Sequence, residues 1–281
     1  MIEMSLTYKS LAKSPVSFLR ASGLTIAMFD EIIEKLRPLW DREIIGVYKR
    51  PGRYFKMSLE DIVLMALIYY RTYTSMVWIG YLFNLNESNV SRLIGRVEPL
   101  LAKIMTINKT KELSKEDLEA CLIDATEQKT QRPSTTDQKP FYSGKKKQHT
   151  IKTEMKTTLK GKITHISESV PGATHDYTLR KQQPALAEDE RAYVDSGYQG
   201  LQKEHAATEL PFKATKTKPL DEESKQYNTA LSRIRVVVEH VFGDIKVFGI
   251  MKDVYRNARD TYNQKFIIIA GLVNLRNGFG V

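Results

Sequence analysis

The sequence predicts an α/β protein in which an all-helical head precedes a body of strands and helices. Three observations carry that. Through about residue 104 the apolar residues recur at the helical period. Beyond residue 119 short runs alternate with a period of two, and a long amphipathic segment follows the last of them.

The elements follow in order. Thr25 to Trp40 places apolar residues at 26, 29, 32/33, 36 and 39/40, which predicts a helix that Pro38 tightens or ends. Residues 44–57 read as a basic loop holding Gly and Pro, and Ser58-Leu-Glu-Asp61 as the N-cap of a helix through Tyr70. A short helix, Ser75 to Phe83, then runs into Asn84-Leu85-Asn86, and a second starts at Asn86 or Ser88. The second helix turns Val90, Leu93/Ile94, Val97, Leu100/Leu101 and Ile104 inward and leaves Ser88, Asn89, Arg92 and Arg96 facing out. Two helices on a three-residue turn, the second with a polar and basic outer face, form the helix-turn-helix pattern of DNA readers; a plain helical hairpin would show the same periodicity. Residues 111–118 are polar and charged and read as a linker between a head at 1–110 and a body at 119–281.

In the body, Glu119-Ala-Cys-Leu-Ile-Asp124 is a short apolar strand closing on a carboxylate. His149 to Leu159 and Lys162 to Val170 alternate around a hairpin turn, Leu159-Lys-Gly-Lys162. Thr174 or His175 opens a short helix, and Arg191-Ala-Tyr-Val-Asp195 is a strand that again closes on an acid. From about Leu220 to Gly249 a long helix carries apolar residues at 227, 231, 234, 238, 241, 245 and 248.

Composition narrows the function classes. Of 281 residues 42% are hydrophobic, enough for a real core, and the net charge of +10 favours an anionic partner. Nucleic acid comes before membrane, because the opening shows no signal peptide and no stretch reaches spanning length. A cytoplasmic, basic protein is expected. The single Cys121 excludes an internal disulfide and a cysteine-cluster zinc site, reads as core, and the five His show no zinc-type spacing. Between 127 and 162 there are ten basic residues and three acids, which concentrates most of the excess there. Within it Lys145, Lys146 and Lys147, beside Phe141 and Tyr142, suit a loop that grips DNA backbone near the active site; a solvated hairpin is the plainer reading.

Three acids stand out. Asp124 and Asp195 close strands, the rim where open α/β sheets keep their sites, although a turn Asp would also sit there. On the long helix Arg235, Glu239 and Lys246 share one side at helical spacing, which a salt-bridged surface face would equally explain. Glu127 lies three residues past Asp124, and His175-Asp176 opens a helix, where an Asp caps well.

Seven short blocks bear on that choice. Ile123-Asp-Ala-Thr-Glu-Gln128, Gln131-Arg-Pro133, Tyr142-Ser-Gly-Lys-Lys146, His149-Thr-Ile-Lys152, Pro171-Gly-Ala-Thr-His-Asp176, Asp195-Ser-Gly-Tyr-Gln-Gly200 and Arg233-Ile-Arg-Val-Val-Val-Glu-His240 occur in that order. Together they resemble the DDE transposases of the IS5 insertion-sequence family, the group of the Harbinger-like DDE superfamily endonucleases. The resemblance covers 119–277 and extends to the helix-turn-helix of the head. It implies an RNase H-like domain, a mixed five-stranded sheet with flanking helices, and a DNA transposase active on terminal inverted repeats and target DNA.

Carried over residue by residue, the family's acids fall on Asp124, Asp195 and Glu239, as ligands of two Mg²⁺ or Mn²⁺ ions. Such ions need only a few carboxylates beside water and substrate phosphate, so two strand acids and a helix Glu suffice. The wider superfamily's helix signature, Tyr-x2-Arg-x3-Glu-x6-Lys, is met by Arg235, Glu239 and Lys246, but Ser232 stands where Tyr is expected. Arg132, Lys145, Lys146, Lys147, Arg235 and Lys246 are the expected DNA contacts of the body, and Ser88, Asn89, Arg92 and Arg96 those of the head. Pairing of two ends implies a homodimer or larger assembly, associated with a bacterial nucleoid when on DNA.

Overall fold

Helices at the N-terminal end begin where short polar side chains can cap them. In the computed structural model, which describes residues 5–47, 55–109, 113–134, 138–214 and 219–280, α1 (Tyr8–Leu11) and α2 (Pro15–Ser22) precede α3 (Ile26–Trp40), α4 (Leu59–Thr72), α5 (Met76–Phe83) and α6 (Glu87–Ile104). The hydroxyls of Thr25, Ser58 and Ser75 and the amide oxygen of Asn86 accept first-turn backbone N–H groups of α3, α4, α5 and α6. Pro38 does not end α3. The helix runs through it to Trp40 and loosens into one π-type turn, Asp41–Ile45, because a proline in the last turn forfeits little of the ladder. Of the basic loop expected at 44–57, residues 48–54 lie outside the described residues and Ile44 and Ile45 belong to the π-type turn.

Every residue of α4 from Ile62 to Tyr70 is buried, so this helix is the axis of the head's core. Gly80 is required by the turn between α5 and α6: a Cβ there would lie 2.4 Å from the Leu85 carbonyl oxygen. Asn84 takes the left-handed conformation that ends α5.

The expected linker is partly helical. Residues 111–112 lie outside the described residues, but α7 (Lys115–Glu119) forms on a capping box between Ser114 and Asp117. The strand expected to stop at Asp124 instead runs on as β1 (Ala120–Lys129), so Asp124 sits mid-strand. The continuation is held by β3 (Gln148–Thr158), whose antiparallel register sets Glu127 opposite Lys152 and Lys129 opposite Thr150. Short β2 (Tyr142–Ser143), β4 (Ile163–Ile166) and β5 (Val170–Pro171) also pair with β3. On its other side β1 pairs in parallel with β6 (Arg191–Val194), and β6 with β7 (Thr208–Glu209). This antiparallel-then-parallel sheet is RNase H-like; among the described residues it has seven strands where the resemblance implied five, and β2, β5 and β7 are only two residues each.

Helices α8 (Asp176–Arg180) and α9 (Glu222–Lys246) follow β5 and β7, and α10 (Gly249–Lys252) and α11 (Tyr262–Arg276) end the chain. The chain divides into two compact units: Met1–Met105 with Ile245–Asp253 and Gln264–Val281, and Thr106–Asp244 with Val254–Asn263. The C-terminal segments thus belong with the helical unit, a division unlike the 1–110 and 119–281 expected from sequence. Lys265 of α11 reaches Glu98 of α6 at 3.1 Å within that unit, and Tyr70 donates to the same carboxylate at 2.7 Å, all three buried.

Candidate active site and nucleic-acid surfaces

Parallel pairing of β1 with β6 brings the first two acids together. Ile123 is in register with Val194, so the next residues, Asp124 and Asp195, are neighbours across the two strands and point to one face. Asp195 is the first residue past β6; its carboxylate accepts the Gly197 amide at 3.3 Å and caps a short 3₁₀ turn, Ser196–Tyr198. Asp124 accepts the Ala125 amide at 2.8 Å.

Helix α9 supplies the counter-charge. One Arg235 guanidinium nitrogen lies 3.7 Å from an Asp124 oxygen and 3.9 Å from an Asp195 oxygen. The two acids respond differently. Burial drives the Asp124 carboxyl up to about 6, against the Ala125 amide and Arg235, and the nearby charges of Asp195 and Asp176 add to the rise. Asp195 is also penalised by burial, but Ser196, Arg235 and the Gly197 amide more than offset it and hold its carboxyl below the ordinary range.

Glu239 follows Arg235 by one helical turn and is exposed. Among the described residues no three acidic, histidine or cysteine side chains are grouped to hold a metal ion. The structure therefore unites Asp124, Asp195 and Arg235 and leaves the Glu239 carboxylate outside that group.

Sequence reasoning missed the side chains on the sheet's other face. Lys152, Glu154 and Lys156 alternate along β3 and share the face opposite Asp124. Each meets a partner of opposite charge: Lys152 with Asp176 at 2.8 Å, Glu154 with Arg180 at 2.8 Å, and Lys156 with Glu190 at 2.6 Å. Asp176 and Arg180 stand one turn apart on α8, which packs on β3 and on the turn after Asp195. The N-cap of α8 is His175, whose side chain makes no cap hydrogen bond; the Asp176 carboxylate, one residue on, accepts from Lys152. The charge alternation Lys-Thr-Glu-Met-Lys along one strand was the available signal. Burial pushes the Glu154 carboxyl up to about 7 despite Arg180. Cys121 lies in the core with Ile123, Ala192, Val194, Tyr198 and Leu201, and burial raises its thiol.

The expected DNA contacts are distributed. Ser88, Asn89 and Arg92 are exposed on the first turns of α6, whereas Arg96 is half-buried with its guanidinium 5.3 Å over the Phe55 ring. Lys145, Lys146 and Lys147 are exposed on the tight turn joining β2 to β3. That turn is not beside the two acids: Asp124 lies opposite Met155, six residues along β3 from His149, or ~20 Å at strand rise. Arg132 is exposed and donates to Gln138 at 2.6 Å, and Lys246 is exposed at the end of α9.

Residues 123–274 match the family described as DDE superfamily endonuclease, and residues 55–107 match the helix-turn-helix of DDE superfamily endonuclease. The chain belongs to the DDE superfamily endonucleases. A probable transposase for insertion sequence element IS702 from Microchaete diplosiphon is 34% identical over 92% of this chain and 93% of its own. A putative transposase for insertion sequence element IS112 from Streptomyces albus G is 24% identical over 90% and 92%. No solved structure matches the chain.

DDE superfamily endonucleases act with divalent metal ions, and the donor set here suits one. Two carboxylates, both hard oxygen donors, converge on a guanidinium held at distances too long for hydrogen bonds. A loosely seated guanidinium between hard oxygen donors marks a place for a cation. Among the described residues no helix is long and apolar enough to cross a membrane.

Proposed function

We propose that this DDE superfamily endonuclease is a DNA transposase. It binds the terminal inverted repeats of an insertion sequence, cleaves phosphodiester bonds at the Asp124–Asp195 pair, and joins the freed 3′-OH to double-stranded target DNA. The observation that carries this reading is the β1–β6 register, which sets two acids side by side under a helix bearing a third. The relatives named as transposases over nine-tenths of the chain support it.

Asp124, Asp195 and Glu239 are the residues assigned to hold two Mg²⁺ or Mn²⁺ ions, with Glu239 brought in by a rotamer change on α9. Such ions, when bound, activate the attacking oxygen and stabilise the leaving one. Arg235 balances the carboxylates, and Arg235 and Lys246 offer positive charge to the phosphates of the transposon end. In the head, the first turns of α6 enter the major groove, where Ser88, Asn89 and Arg92 reach base edges and Arg96 sits closer to the backbone. Arg132 and the Lys145–Lys147 turn lie far along the sheet from the acids, a place suited to flanking or target DNA. Two ends must be held at once, so the working form is a homodimer or larger, acting in the cytoplasm on the nucleoid.

A joining assay with a pre-cut 3′-OH end tests this. The wild-type chain should transfer the strand in Mg²⁺ or Mn²⁺, while Asp195→Asn and Glu239→Gln should each fall to background with end binding intact. Near-wild-type joining by Asp195→Asn would overturn the reading. Cleavage without joining would reduce it to a metal-dependent nuclease.

A further inference from the structure

Gly197 stands between two carboxylates. Its amide donates to Asp195, and its Cα faces Asp176 so closely that a Cβ there would lie 2.4 Å from Asp176 Oδ2. The glycine is therefore demanded by space on the Asp176 side. Asp176 in turn cannot retreat. Its other oxygen accepts from Lys152 Nζ at 2.8 Å, and the same ammonium donates to the Thr174 carbonyl at 2.6 Å and lies 3.6 Å from Glu127. Glu127 is itself fixed by the Thr150 hydroxyl at 2.9 Å, and the Lys152 side chain is only 9% exposed.

A continuous set of contacts thus runs from β3 to the site: Lys152 anchors Asp176, Asp176 braces Gly197, and the Gly197 amide orients Asp195. It approaches from the face opposite Arg235, so the Asp195 turn is gripped on both sides. The N-cap of α8 is His175, whose side chain makes no cap hydrogen bond, while the Asp176 carboxylate at the first helical position is paired with Lys152.

We propose that Asp176, held by Lys152, is a positioning residue that fixes the Asp195 carboxylate for cation binding. This rests on the metal reading of Asp124 and Asp195. Groups that orient a metal-ligating carboxylate typically change metal affinity or activity 10- to 100-fold when removed.

The test is Mn²⁺ uptake by the full chain, followed by electron paramagnetic resonance, beside cleavage of a transposon end. Asp176→Ala should weaken Mn²⁺ binding and cleavage by about 10- to 100-fold while end binding is unchanged. Asp176→Asn, which keeps the shape and an oxygen for Lys152, should recover part of the affinity. Gly197→Ala keeps both members of the Lys152–Asp176 pair and forces the turn and the Asp176 carboxylate apart, so it should reproduce the loss. Wild-type Mn²⁺ affinity in Asp176→Ala, with only a lower melting temperature, would overturn the proposal and leave Asp176 structural. Wild-type affinity in Gly197→Ala would overturn it equally, and that variant decides the matter if Asp176→Ala does not fold. A wild-type chain that takes up no Mn²⁺, or an Asp195→Asn chain that takes it up unchanged, would instead defeat the metal reading, a different result from either.

Discussion

The helical unit and the sheet unit bury charge in different ways. In the helical unit α4 is apolar along its whole buried length, and one island of charge, Glu98 with Lys265 and the Tyr70 hydroxyl, sits in it. In the sheet unit β3 carries three charges in alternation, each with its own partner, on a face where an apolar strand would pack at lower cost. Taking ions out of water is expensive, and well-packed hydrophobic residues of similar volume often stabilise a core more. A ladder of such pairs is therefore a poor device for stability alone. What it does supply is fixed geometry directly behind the turn that carries Asp195.

The sharpest way to break that comparison is to remove one member of the helical island. Glu98→Ala leaves an ammonium and a hydroxyl buried without their acceptor, and it should cost about 3–5 kcal/mol in denaturant unfolding. The double variant Glu98→Met with Lys265→Met should recover most of this. If the double variant is as unstable as the single one, the island holds more than its own charge and the contrast between the units fails.

A smaller effect is expected on the outer face of the same unit. Arg92→Ala should weaken binding to the cognate end by about 1–3 kcal/mol, and more than to random DNA, because an exposed side chain on the first turns of α6 can read bases. Equal loss on both DNAs would make Arg92 a phosphate contact, and no loss on either would leave α5 and α6 a plain hairpin.

The smallest concerns pH. Glu154 keeps its proton in the folded chain up to about 7, whereas an exposed glutamate releases it near 4.5. Between those values the native state holds more protons than the unfolded one, so stability falls as pH rises from about 4.5 to about 7. Glu154→Gln should flatten that part of the melting-temperature profile without moving the rest. Parallel profiles for the variant and the wild type would show that Arg180 keeps Glu154 ionised throughout, and the ladder would then be a rigid ion pair at every pH.

Local signals located much of this molecule. Ser58 caps the helix it was expected to cap, Ser75 and Asn86 cap helices whose starts were read at or beside them, and the apolar positions 231, 238, 241 and 245 of α9 are buried as their spacing implies. The ordered blocks around Asp124, Asp195 and Glu239 were enough to indicate the DDE superfamily, because such blocks are contiguous in the chain. The extension of β1 past Asp124 was hidden, since Thr126 to Lys129 are polar and acquire strand character only from partners on β3. Helix α11 was hidden too: no element was read past Gly249, and the partner of its Lys265, Glu98, lies more than 150 residues upstream.

What the sequence determined by itself is everything governed by neighbours within one or two turns: caps, periods, the three-residue turn of the helix-turn-helix, and the residue types needed for metal chemistry. Tertiary structure alone decided which charges are buried and against what. Asp176 is a helix-opening acid in the sequence and a brace for Gly197 in the fold; Arg235 shares a helical stripe with Glu239, yet only Arg235 meets the two strand acids. The physical reason is that burial and Coulomb partners depend on strand register and helix placement. Those are settled by contacts far apart in the chain, and a window of sequence cannot contain them.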